Sequence, residues 1–307
     1  MGAALREAVA PARIGMLAIG ARRPLVNPAA FHYAAGSIWM TTSRHAVKAH
    51  VLRRSPEAAF LVATGHESLL FQGHLESYDP RSLTGPLRAM LGGPNLGFAV
   101  AGYVLRNAPF IGGYALDLRS MPDAWWPQNR VLLRLRVAWA RTVSDAAPPA
   151  AGSTPLPGVI GPTLAQVGEA YACWAGSRAP HLAPAWWAPA GPDELAAWLP
   201  PRGLPGPPAP AAGALVIEHH HPYRASRMTG VTLHGRVEPV TSGQSRLATA
   251  IEERYGVRPA GGTLLRLEPD RVTSWRGFDV ATRPYPRFDQ ERAGEEADAR
   301  AFSGEDG

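Results

Sequence analysis

Cysteine and lysine are the two residues that this chain of 307 does almost without. Cys173 is the single cysteine, which excludes an internal disulfide framework and a cysteine-based metal cage and makes a reducing, cytoplasmic compartment the simplest expectation. No run of about eighteen apolar residues occurs, so no membrane-spanning helix is expected. The first twenty residues, MGAALREAVAPARIGMLAIG, scatter Arg6, Glu7 and Arg13 among apolar positions. They read as a short amphipathic helix leading into a strand, not as a secretory signal. Charged residues are only 18% of the chain against 46% hydrophobic, which excludes disorder over most of its length. No basic run exceeds two residues and no recognition helix is visible, so neither nucleic acid nor a membrane is expected as a partner.

What is present is arginine. Of 31 basic residues, 30 are arginine and one, Lys48, is lysine. The net charge of +6 suits an anionic small molecule as well as it suits a solvated surface. A lysine kept where arginine serves everywhere else marks a place for a compact ammonium on a flexible stem, as beside a phosphate.

The chain also repeats itself. GARRPLVNPA (20–29) and GSRAPHLAPA (176–185) share Gly, Arg, Pro, Pro and Ala at equal spacing. Trp39 is followed in the second half by Trp198, LLFQGHLESYDP (69–80) by VTLHGRVEPV (231–240) with Gly73 answering Gly235, and LLRL (132–135) by LLRL (264–267). Four landmarks in one order argue for a duplication. In the first unit, strands are predicted over 14–19, 24–33, 37–42, 58–64, 68–77 and 131–143. A helix is expected over 45–54, stopped by Ser55-Pro56, with turns at 20–23, Ala35-Gly36 and Gly65-His66-Glu67. Residues 81–121 are apolar and partly helical. The second unit predicts strands at 168–175, 180–187, 194–199, 213–220, 228–238 and 262–276 and a helix at 245–255. Its proline run 200–212 forbids a helix where the first unit has one. The resulting organisation is a unit over 1–145, a Pro-rich linker over 146–162, a second, degenerate unit over 163–285 and a disordered tail over 286–307. Strands that do not alternate with long helices point to small closed barrels, a mainly β fold with short helices.

Chemistry concentrates in MTTSRHAVKAHVLRR (40–54). A strand ends in Thr41, Thr42 and Ser43, then Arg44, and Lys48 follows about one helical turn later. Hydroxyls, turn amides and a helix start form an anion site, to which Arg44 and Lys48 add full charge. The competing reading is that Ser43 caps the helix and the charges are solvated. Glu218-His219-His220-His221 offers at most two converging imidazoles along a strand, and a surface role fits it better than a metal site. There is no Walker loop, Rossmann fingerprint or nucleophile elbow.

RPLVNPAAFHYAAGSIWMTTSRHAVKAHVLRRSPEAAFLVATG (23–65) resembles the core of the pyridoxamine 5′-phosphate oxidase-like superfamily of FMN-binding split barrels. The resemblance runs on through LLFQGHLE (69–76), and in the second unit through TGVTLHGRVEP (229–239) and TLLRLEPDRVTSWRGF (263–278). It implies two split β-barrel repeats forming an intramolecular pseudo-dimer, monomeric or further assembled as a homodimer. It implies a cofactor, FMN or alternatively a deazaflavin, with its phosphate on Thr41, Thr42, Ser43, Arg44 and Lys48 and its ring edge along Val26, Asn27 and Pro28. The second repeat, lacking lysine and hydroxyls at the matching place, would serve as the wall, through Trp186, Trp187 and Trp275. The implied activity is a flavin- or deazaflavin-dependent oxidoreductase acting on a small organic substrate. The alternative is a non-enzymatic protein that binds, stores or senses a flavin, a deazaflavin or haem. No side chain is required as acid or base in such chemistry.

Overall fold

The computed structural model describes residues 2–64, 67–79, 81, 93–144, 169–202, 204, 206–219, 221, 223–240, 245–258 and 260–285. The turn residues Gly65 and His66, the 146–162 linker, His220 and the 286–307 tail lie outside them. After an N-terminal helix α1 (Gly2–Ala8) come β1 (Ile14–Ile19), β2 (Leu25–Ala34), β3 (Ser37–Ser43), α2 (Val47–Leu52), β4 (Glu57–Ala63) and β5 (Ser68–Tyr78). Helices α3 (Gly93–Arg106) and α4 (Ala108–Asp117) precede β6 (Arg130–Ser144). The six strands close into an antiparallel barrel in the order β1-β2-β3-β6-β5-β4. Closure removes the unpaired edges that a small sheet would otherwise present. The interior follows from alternation along each strand: Leu17, Ile19, Phe31, Ile38, Phe60, Phe71 and Leu133 point inward into one apolar cluster. Each such side chain, fully buried, stabilises the fold by roughly 1.5–3 kcal/mol.

The second half comprises β7 (Glu169–Trp174), β8 (His181–Pro184), β9 (Trp186–Gly191), β10 (Glu194–Leu199), β11 (Ala211–His219), β12 (Thr229–Pro239), helix α5 (Ser245–Tyr255), β13 (Thr263–Arg276) and β14 (Asp279–Pro284). Its sheet, β8-β7-β11-β12-β13-β10-β9 with β14 added on β13, is a curled half-barrel. The two outermost strands, β8 and β9, are one run interrupted at Ala185, so the order repeats that of the first barrel strand for strand. Register repeats too. Met16 lies opposite Leu61 and Pro28 in the first barrel as Tyr171 lies opposite Val216 and Pro184 in the second. A β-bulge sits between Gln72 and Gly73 and again between His234 and Gly235. At each bulge a side chain would collide with a backbone carbonyl: a Cβ on Gly73 would lie 1.9 Å from Arg136 O, and one on Gly235 2.0 Å from Glu268 O. The fold is two split-barrel repeats.

Register corrects one sequence landmark. Trp39 pairs with Arg134 on β6, whereas Trp198 pairs with Leu264, the counterpart of Leu132, which faces Thr41. Trp198 therefore occupies the place of Thr41, and Ala196 that of Trp39; the similar triplets IWM and AWL misalign by two residues.

The repeats meet through matching faces. Met16, Ala18 and Leu61, on the outside of the first barrel, share one cluster with Tyr171, Cys173 and Val216. All six β1 residues are buried for this reason: alternate side chains enter the barrel core and the seam. A self-complementary patch of this kind is what a twofold dimer uses, here contained in one chain. The α3–α4 insertion braces the pair. Helix α3 packs on β2 and β3, and α4 reaches residues 225–227 of the second repeat. There the Arg224 side chain donates to Asp117 Oδ1 at 2.9 Å. Burial by itself would raise the Asp117 carboxyl, but the bonds from Arg224 and Ser226 hold it below its ordinary value. No described helix is long and apolar enough to cross a membrane.

Gly73→Ala and Gly235→Ala are each expected to lower stability by about 1–3 kcal/mol in urea unfolding, because neither carbonyl can retreat from its ladder. Gly97→Ala in α3, where a Cβ meets nothing within 4 Å, is expected to be neutral or stabilising by up to about 1 kcal/mol.

Candidate functional site

A cleft of about 530 Å³ opens between the first repeat, the α3–α4 insertion and the β12–β13–β14 face of the second repeat. Of the residues expected from sequence, Val26, Asn27, Pro28, Thr41, Thr42 and Lys48 line it. Ser43 and Arg44 do not. Ser43 is buried, its hydroxyl donating to the Ala124 carbonyl and accepting from the His45 amide at 3.2 Å. Arg44 turns to Asp79, with Nη2 and Oδ1 2.7 Å apart. The helix expected over 45–54 is shorter, Val47–Leu52, and its N-cap is Ala46 without a side-chain cap, so Ser43 does not cap it. A single turn and a half supplies little dipole, and the positive charge of the cleft comes from side chains.

The group that sequence reasoning missed is Arg130. It opens β6 directly opposite Ser43, and its guanidinium donates to Thr41 Oγ1 at 2.8 Å. The Thr41 hydroxyl also meets the Tyr103 hydroxyl at 3.2 Å. Burial, and then the nearby Arg130, pull the Lys48 ammonium down from its ordinary value to about 8. No carboxylate appears among the described residues lining the cleft. Two polar atoms there are buried without a hydrogen-bond partner, Thr42 Oγ1 and Arg130 Nη1. Two cations and an unsatisfied hydroxyl thus line one cleft with no carboxylate among its described lining residues, whereas buried polar groups ordinarily find partners.

The rest of the cleft is largely apolar and aromatic. Tyr103, Phe110 and Tyr114 come from the insertion and Trp125 from the turn that follows it. From the second repeat, Arg271, Thr273 and Trp275 share one face of β13, as alternate residues of a strand must, and Gly277 follows in the turn after it. Phe278 at the β13–β14 turn packs against Tyr114 and Trp125, with ring centroids 6.0 and 5.9 Å apart. His234, also on the wall, is lowered to about 4 by burial and then by Arg271, against a smaller opposing effect of Asp270, so it is neutral at pH 7. Of the three tryptophans expected on the wall, Trp275 is there. Trp186 and Trp187 pack elsewhere, Trp186 against Trp198 and Tyr255 at 4.5 and 5.2 Å and Trp187 beneath the Arg254 guanidinium. No local pattern marks Arg130 or the insertion's aromatics: strand register and chain crossover deliver them.

In the second repeat the matching place is closed. Trp198 stands where Thr41 stands in the first, its indole NH donating to Gly261 O at 2.9 Å, and the proline-rich 200–212 segment contains no lysine.

No family model and no curated protein matches the chain. Among solved structures it is similar to a conserved hypothetical protein from Mycobacterium tuberculosis, with 23% identity over 47% of this chain and 83% of that one and a TM-score of 0.32. It is similar to a pyridoxamine 5′-phosphate oxidase-related, FMN-binding protein from Nostoc punctiforme PCC 73102, at 17% identity over 47% and 80% with a TM-score of 0.31. It is also similar to an FAD-binding protein from Mesorhizobium loti, at 17% identity over 46% and 94% with a TM-score of 0.30. The fold itself is defined by the strand order and register described above.

Because Lys48 is the only lysine, side-chain isotope labelling of lysine gives one resonance to follow. Its titration midpoint is expected near 8 and should move up in Arg130→Gln, which removes the repelling charge. An ordinary lysine midpoint in the wild-type protein would place the ammonium in open water. Since the folded-state value lies below the unfolded one, stability is expected to rise as pH climbs from about 8 toward the ordinary lysine value.

Proposed function

We propose that the cleft binds one flavin-type cofactor per chain, FMN or a deazaflavin, and that the protein is an oxidoreductase acting on a small organic molecule. The observation that carries this reading is the uncompensated pair Lys48 and Arg130, set with Thr41 and Thr42 in a cleft that is otherwise mainly apolar. A ligand with an anionic tail and a large planar ring satisfies both parts. In this reading Lys48, Arg130 and the two threonine hydroxyls hold the phosphate; Ser43 and Arg44 shape the β3 end from behind. Val26, Asn27 and Pro28 on β2 and Trp275 on β13 supply walls for the ring from both repeats.

Bound there, a flavin supplies hydride transfer, and the protein supplies orientation and exclusion of water. The lining fits this division of labour. Among the described residues it offers no carboxylate, thiol or activated serine, and the neutral His234 imidazole is available to hydrogen-bond without adding charge. The same lining suits the alternative, a protein that binds or senses the cofactor without turnover. The two differ in whether bound, reduced cofactor is reoxidised by an organic acceptor.

Titration of the purified protein with FMN, riboflavin and a deazaflavin tests the proposal. One FMN or deazaflavin per chain is expected, because Trp198 fills the second position. Lys48→Ala and Arg130→Ala should each weaken FMN binding by about 1–3 kcal/mol, the range for a hydrogen bond to a charged group. Riboflavin, which lacks the phosphate, should bind both variants as it binds the wild type. FMN affinity should fall as pH rises through about 8, where Lys48 loses its proton. Equal loss for riboflavin, or two FMN per chain, contradicts the proposal.

A further inference from the structure

The α3–α4 insertion is built inside out. Thirteen residues of the 97–118 stretch are exposed, among them Phe98, Leu105, Ile111 and Leu116, and none carries a polar side chain. Phe98 is 76% exposed, Leu105 77% and Leu116 73%. The polar side chains of the same stretch turn inward or fold back on the protein. Tyr103 and Tyr114 enter the cleft. Asn107 donates to the Phe31 and Tyr103 carbonyls and Asp117 is paired with Arg224. Arg106 folds back on the carbonyls of Val9 and Ala10. Of the thirteen exposed large hydrophobics among the described residues, seven fall on this one stretch. That is the reverse of a water-facing helix, which keeps its polar side chains outward.

From this face we infer that the protein docks on the surface of an anionic phospholipid bilayer, with α3 and α4 lying in the interface. A protein partner would be met by hydrogen bonds spread through the contact, and within this face no exposed side chain can make one. Hydrocarbon asks for none, and helices in lipid turn their polar groups toward the protein as these do. The helices, of 14 and 10 residues, are too short to span the roughly 30 Å hydrocarbon core, so they lie along the surface. The ends of the face carry the matching charge. Arg13, whose guanidinium donates to the Arg106 carbonyl, and Arg6 are exposed beside the end of α3, and Arg119 is exposed after α4; Glu7 and Asp123 are exposed acidic residues near the same two ends. Arginines around an apolar face suit the headgroups of an anionic leaflet. A second copy of the chain is a weaker occupant, since the twofold-like seam between barrels is already filled within the chain.

The test is flotation of the full chain with vesicles of phosphatidylcholine alone and of phosphatidylcholine with phosphatidylglycerol. The protein is expected to float with the anionic vesicles and much less with the neutral ones, and to be released by added salt. In the Phe98→Ser/Leu105→Ser/Leu116→Ser variant, partitioning should fall by about a hundredfold or more. Because all three positions are exposed, the variant should keep the wild-type unfolding midpoint, which separates lost docking from lost folding. Absence of flotation overturns the inference. So does equal flotation of the variant, which would assign binding to arginines elsewhere. A concentration-dependent dimer that disappears in the variant, without flotation of the wild type, would make the face a contact between copies and also overturns it.

Discussion

Lys48 and Arg130 reach the same cleft from α2 and from the start of β6, and no carboxylate among the described residues lining that cleft answers them. Burial first, and then repulsion from Arg130, lower the Lys48 ammonium in this partly dry site. Around them Thr42 Oγ1 and Arg130 Nη1 have no partner. The fold tolerates this because the barrel beneath is closed, bulged and fully packed on both sides of β1, so the cost is borne by a scaffold that does not depend on the site. An anion placed among these groups removes the repulsion and satisfies the orphaned atoms together, which is why the function is read from this corner of the molecule.

Duplication explains how one chain supplies both the grip and the wall. Strand order, register and even the glycine at the β5 and β12 bulges recur, while the side chains at the two corresponding clefts have diverged. On one side Thr41 lies open with Tyr103 and Arg130 against it. On the other, Trp198 packs against Trp186, and Trp186 against Tyr255 of α5. A homodimer must keep both sites alike because one sequence codes for both. A fused pair is free to specialise, with the first repeat holding charge and the second presenting the β13 and β14 surface across the cleft.

Much of this was legible in the sequence. Proline, glycine and alternating apolar residues marked nearly every strand, and the repeat of GARRPLVNPA by GSRAPHLAPA aligned Pro28 with Pro184 as the register does. A lone lysine after a hydroxyl-rich strand end pointed to residues that do line the cleft, Thr41, Thr42 and Lys48. What escaped notice depends on register or on chain crossover. Arg130 follows an unremarkable turn and becomes Thr41's neighbour only through β3–β6 pairing. Tyr103, Phe110 and Tyr114 lie in the long helical connection between β5 and β6, which the second repeat replaces by the single helix α5. Trp39 and Trp198 were matched by residue type, but pairing sets them two residues apart, and that shift replaces an imagined conserved tryptophan with the residue that closes the second cleft. Ser43 and Arg44 were grouped with Thr41 and Thr42 by proximity in sequence, but the Ala124 carbonyl and Asp79 engage their side chains instead.

The central claim is that an anionic tail, and not the ring alone, is what this cleft holds. Phosphorus NMR of FMN at one equivalent per chain addresses it most directly. The account predicts that the phosphate resonance shifts on mixing and no longer titrates near its ordinary second pKa of about 6, because Lys48 and Arg130 hold the dianion. A phosphorus signal that titrates as in free FMN while the ring absorbance changes would show the phosphate left in water, and would contradict it.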